Sequence, residues 1–155
     1  MDVRAVIVTL VTAVLGSLGF SILFYMRPRR LPLAALAGFL TCAVYLAVKI
    51  PGGGELVSNL LAALAGAVFA EITARLTKAP VPVYLLPGLI PLVPGGALYE
   101  TMSHLVSGDY AGAGAFGLKT LQIAVGIAGG IITASVLGLF LRYLLGSRRA
   151  STPKP

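Results

Sequence analysis

The sequence predicts an all-α, polytopic membrane protein of about five transmembrane helices, N-terminus out and C-terminus in, with the fourth helix broken by a Pro/Gly motif. Three observations lead there. Hydrophobic residues make up 57% of the 155 residues and charged residues 11%, against about 25% charged in a soluble domain. The chain therefore lacks the polar surface to cover a water-facing globule, and its mean hydropathy is +0.95. Apolar runs recur along the chain, each near the ~20 residues that cross a ~30 Å hydrocarbon core. Basic residues gather beyond alternate runs, as the positive-inside rule requires.

The runs cover residues 5–26, 31–48, 56–76, 81–106 and 116–145. The first lacks a basic leader and is too long for a signal-peptide core, so it reads as a retained helix. "RPRR" at 27–30 makes a tight basic turn, "PGGGE" at 51–55 a flexible one, and "SGDYAGAG" at 107–114 a glycine-rich loop. The fifth run exceeds what a crossing needs, which predicts tilt or a first turn outside the core. Residues 1–146 read as one transmembrane domain and 147–155 as a basic, disordered cytoplasmic tail.

Net charge is +7, but its placement argues against nucleic acid. Arg27, Arg29, Arg30, Arg75, Lys78, Arg148, Arg149 and Lys154 follow runs one, three and five. The opposite loops hold Lys49, Glu55 and Asp109, and the N-terminus Asp2 and Arg4. Five crossings satisfy the rule throughout, whereas a re-entrant fourth run would put the basic tail outside. There is no basic face with interleaved aromatics for a nucleic acid to stack on. The single cysteine, Cys42, sits in an apolar run and reads as a small packing residue.

Small residues recur every fourth position: Ala5, Thr9, Ala13, Ser17 and Ser21; Ala34, Gly38 and Cys42; Ala62, Gly66, Ala70 and Ala74; Gly126, Gly130, Ala134 and Gly138. Residues four apart share a helix face, so each row is a flat ridge along which another backbone can approach. A compact bundle, a partner subunit or a homo-oligomer would use such ridges.

"LLPGLIPLVPGG" at 85–96 raises the chemical question. Proline costs about 3 kcal/mol inside a helix and glycine up to about 1 relative to alanine. Pro87, Gly88, Pro91, Pro94, Gly95 and Gly96 therefore make a continuous helix here doubtful. Freed peptide groups cannot face lipid; they are tolerated where protein buries them or where they line a watery cavity. A helix restarting near Gly96 would aim its positive end at the break, where a carboxylate is favoured. Tyr99 and Thr101 would add hydrogen bonds. Glu100 and His104 share a face and form a candidate proton relay, the alternative being two solvated interface residues. Glu71, four residues before Arg75, is either a structural ion pair or a coupling group. Lys119 reads as snorkelling to the outer surface. Gln122 extends the Gly126 row and is a candidate for substrate contact or helix–helix adhesion. No HExxH, Walker or GxSxG motif and no cluster of metal ligands occurs, so no enzyme, metal or cofactor is expected.

The stretch "KAPVPVYLLPGLIPLVPGGALYETMSHLVSGD", with its "IPLVPG…LY" core, resembles the small, C-terminal-half component of the threonine/serine exporter family. "GSLGFSILFYMRPRRLPLAALAGFLTCAVYL" resembles that family's first two helices and basic turn. The resemblance implies a subunit of a proton-coupled exporter of threonine and serine in a bacterial cytoplasmic membrane. It implies pairing with a larger membrane subunit that resembles the family's N-terminal half. Some split pairs are associated with succinate export, and a non-transporting scaffold is the remaining alternative.

Overall fold

The structure is a computed structural model that describes residues 2–149, with side chains through Phe140. Six α-helices follow in order: α1 (Val3–Leu23), α2 (Leu31–Lys49), α3 (Glu55–Thr77), α4 (Pro82–Leu89), α5 (Gly95–Val106) and α6 (Tyr110–Arg149), with 3-10 turns at Pro28–Arg30 and Ile90–Leu92. No strand occurs among the described residues. Four helices are individually long and apolar enough to cross a membrane, and the count rises to five when α4 with its 3-10 turn and α5, a bent pair, are taken as one span.

Side chains are sorted the opposite way from a water-soluble core. Val3, Ile7, Val8, Val11, Leu15, Ile22 and Leu23 lie exposed along α1, while Ala13, Ser17 and Ser21 are buried. Bulk outside and small residues inside is what a lipid solvent allows, because acyl chains satisfy the bulky groups and only close backbone packing holds helices together. The fourfold rows face inward, except that Ala5 is exposed and Thr9 half-buried at the start of α1. Ala34, Gly38, Cys42, Ala62, Gly66, Ala70, Ala74, Gly126, Gly130, Ala134 and Gly138 are all buried. Gly38 leaves room for the Ser17 hydroxyl of α1. A Cβ on Gly130 would meet the Leu64 nitrogen at 2.7 Å and Ala63 Cβ at 2.8 Å. Cys42 packs with Ala13 and Leu46, the small packing role its context predicted.

The same contacts fix the topology. Gly126 sits by Leu56 and Asn59, Gly130 by Leu60 and Ala63, and Gly138 by Glu71, so α6 runs parallel to α3. Lys119 reaches Glu55 at the start of α3. Residues 110–118 therefore extend beyond that rim, where Gly117 meets Thr101 and Phe116 stacks on His104 of α5. Between the rim at Lys49, Glu55 and Lys119 and the rim at Arg30 and Thr77, α3 spans 23 residues, or about 34 Å.

Three boundaries depart from expectation. The glycine-rich loop at 107–114 shrinks to 107–109, because α6 starts at Tyr110. Gly112 is helical because its bare backbone lets the His104 ring and the Asp109 carboxylate press against it; a chain-local reading takes such a glycine for a breaker. Helix α4 continues through Pro87, and the true break falls at Val93–Pro94. Helix α6 reaches Arg149, and the rest of the expected tail lies outside the described residues.

Candidate functional site

The fourth pass is held by what its prolines free. Pro91 has no N–H, and the carbonyls before it lose helical donors. The Thr41 hydroxyl of α2 donates to the Gly88 carbonyl at 2.6 Å. Gly88 lets α4 approach α2 so closely that an added Cβ would lie 2.9 Å from Ala37 Cβ. Pro87, Gly88 and Leu89 are buried in this seam and serve helix packing there. The chain then bends by 50° into α5. A bend that shallow carries the pass onward, where a re-entrant loop would turn back.

At the bend lies a cavity of 210 Å³, lined by Tyr45, Glu55, Asn59, Pro91, Leu92, Val93, Pro94, Ala97, Lys119 and Ile123. That is about seven water volumes. Its charged floor comes from three helices. Lys49 Nζ and Lys119 Nζ lie 2.9 and 3.3 Å from the same Glu55 oxygen, Oε1. The Tyr45 hydroxyl donates to Oε2 at 3.3 Å. Asn59, 2% exposed, lines the cavity and donates its side-chain amide to the Glu55 backbone carbonyl at 2.8 Å. Two ammonium groups share one carboxylate, leaving one surplus positive charge beside low-dielectric walls, where a charge acts more strongly than in water.

Above the floor, α5 begins at Gly95 with no side-chain cap. The first N–H groups of such a helix carry partial positive charge. Added Cβ atoms on Gly95 and Gly96 would meet nothing within 4 Å, so these glycines keep the backbone open. Of the expected residues, Pro91 and Pro94 line the cavity, while Gly95 and Gly96 follow it in the chain without lining it.

The remaining expected site residues lie apart. Tyr99 is 70% exposed, and Glu100 is exposed with no ion-pair partner among the described residues. Thr101 spends its hydroxyl on the Ala97 carbonyl at 2.7 Å. His104 pairs with Asp109 at 2.9 Å, in place of the expected Glu100–His104 pair. The reason is the tight 107–109 turn, which delivers Asp109 to the imidazole. The Asp109 carboxyl is held below its ordinary range chiefly by the Gly112 N–H, with His104 adding to the effect. Glu71 pairs with Arg75 at 2.7 Å and packs on Gly138, at the opposite end of α3 from the cavity. Gln122 is half-buried and does not line the cavity. Tyr45, Glu55 and Asn59 went unrecognised in the sequence. A polar Asn one turn from a Glu, at the start of an apolar run, was the available signal. Lys119 is exposed at the rim, as expected, and there also reaches Glu55.

A multi-pass helical membrane protein with a polar cavity where one pass is broken has the architecture of a secondary transporter. A family model described as "Threonine/Serine exporter, ThrE" matches residues 9–137, and the chain belongs to that family. Neither a curated protein nor a solved structure gives a match. The family is one of exporters, not of enzymes, and no group of three potential metal ligands occurs among the described residues.

Proposed function

We propose that this chain is a subunit of a proton-coupled exporter of small carboxylate-bearing solutes, threonine and serine first, acting with a larger membrane subunit in a bacterial cytoplasmic membrane. The observation that carries this reading is the 210 Å³ cavity whose floor pairs Glu55 with both Lys49 and Lys119. A zwitterionic amino acid matches it group for group. The solute carboxylate would sit between Lys119 and the uncapped start of α5. Its ammonium would displace a lysine from Glu55, with the Asn59 oxygen and Tyr45 hydroxyl in support. The solute hydroxyl would face Pro94 and Ala97. Glu55, the only carboxylate lining the cavity among the described residues, is the group best placed to exchange a proton for the solute.

The floor carries both signs, which favours an amino acid over succinate: a zwitterion can set its ammonium on Glu55 and its carboxylate on Lys119, whereas a dianion would bring a second carboxylate against Glu55. The scaffold alternative predicts no role for Lys119. Efflux of labelled threonine, serine and succinate from proteoliposomes holding this chain, with and without the larger subunit, tests the proposal. Threonine and serine efflux that needs a pH gradient is the expected result. Absence of efflux in both preparations would remove it.

A further inference from the structure

A second cavity lies at the other rim, far from the broken pass's bend. It encloses 410 Å³ and is lined by Phe24, Tyr25, Met26, Arg27, Arg30, Pro82, Val83, Leu86 and Pro87. Its two walls are the end of α1 and the first turns of α4. From Pro82 to Pro87 the α4 wall descends roughly 7 Å toward the membrane centre. The mouth is cationic and the walls are apolar, with Phe24 and Leu86 more than half exposed on the open side. Tyr25, at φ 53°, closes the α1 end in the left-handed region and is 95% exposed. A tyrosine presented this way suits the headgroup layer.

Charge at this rim is unbalanced. The chain has five acidic residues, and four of them (Asp2, Glu55, Glu100 and Asp109) sit at or beyond the opposite rim. The fifth, Glu71, is engaged by Arg75. Arg27, Arg29 and Arg30 have no carboxylate within ion-pair distance among the described residues. Arg30 is instead fixed by its own bond to the Thr77 carbonyl at 3.3 Å, which holds one guanidinium at the mouth.

We propose that this cleft binds an anionic phospholipid, its phosphate on Arg27 and Arg30 and its acyl chain along Phe24, Val83 and Leu86. A free anion would satisfy the arginines but leave the apolar walls unused; a neutral lipid would do the reverse. Only an amphiphile with a net negative headgroup uses both, and anionic lipid is attracted to clustered arginines at a membrane surface. The site is independent of the export cavity.

Native mass spectrometry of the full chain, offered phosphatidylglycerol and phosphatidylcholine of matched acyl chains, tests this. Phosphatidylglycerol adducts should dominate, and Arg27→Gln should lower their occupancy about fivefold. Leu86→Asp, which leaves the arginines in place, should lower it as well, so the result does not depend on one variant folding. Equal retention of the two lipids, or occupancy indifferent to both substitutions, would overturn the proposal. Displacement of the lipid by inorganic phosphate or threonine alone would mark a plain anion site. Loss of the lipid on adding the larger subunit would mark a protein interface. Either result overturns the proposal.

Discussion

The Thr41 hydroxyl donates to the Gly88 carbonyl across the α2–α4 seam at 2.6 Å. This bond gives the Gly88 carbonyl a partner where α4 gives way to the 3-10 turn at Ile90–Leu92. It lets a pass with four prolines, Pro82, Pro87, Pro91 and Pro94, stay folded beside lipid. Thr41→Val keeps the shape, removes the donor and leaves a buried carbonyl unpaired, at about 1–3 kcal/mol. Thermal unfolding in detergent should show that loss, while Thr41→Ser should recover most of it.

The α3–α6 interface depends on absent side chains. Gly130 faces the Leu60 carbonyl, the Leu64 nitrogen and Ala63 at distances no Cβ tolerates. Overpacking costs about 1–3 kcal/mol and more where backbone must move, so Gly130→Leu should separate the helices. Gly114, with open space around it, should accept alanine without loss. A disulfide pair engineered between α3 and α6 should report the separation as slower cross-linking.

Lys119 and Glu55 should govern transport differently. Lys119→Gln removes the surplus charge and should weaken threonine export by roughly tenfold, the equivalent of about 1.4 kcal/mol, mainly through apparent affinity. Glu55→Gln should abolish the dependence on a pH gradient. Glu100→Gln, on the exposed side of α5, should leave both unchanged. Efflux measured at several pH values separates the three outcomes.

The α5–α6 turn should loosen in acid. Asp109 is held below its ordinary 3.8, first by the Gly112 N–H and then by His104. A lowered folded-state value means that its contribution is complete above about 3.8. It is lost as pH falls through the lower folded value. Protection of the amides at residues 108–113, taken relative to their intrinsic exchange rate at each pH, should therefore fall below pH 3.8 in the native chain. In Asp109→Asn it should already be lower and flat over that window.

Much of the fold was legible because one periodicity carried it. The rows of Ala, Gly and Ser are one-dimensional signals, and each proved to be an interface. The Pro/Gly cluster marked the broken pass for the same reason, since the cost of proline in a helix is local. The cavity floor was not legible. Glu55 reads as a loop charge and Lys119 as a snorkelling one until α3 and α6 are laid parallel. Only the Gly126 and Gly130 contacts set the register that joins them. Likewise Glu100 and His104, four apart, invited a pairing that the turn at Asp109 takes away.

Export through this chain requires the bend at Val93–Pro94 to open into a wet, solute-binding cavity. Cys42 is buried and is the chain's one cysteine, so Cys42→Ala provides a clean background for Ala97→Cys at the cavity wall. The decisive measurement is the labelling rate of that thiol by a membrane-impermeant reagent, with and without threonine. Rapid labelling that threonine slows is the predicted result; a thiol that stays unmodified, or labels equally fast with threonine present, would contradict it.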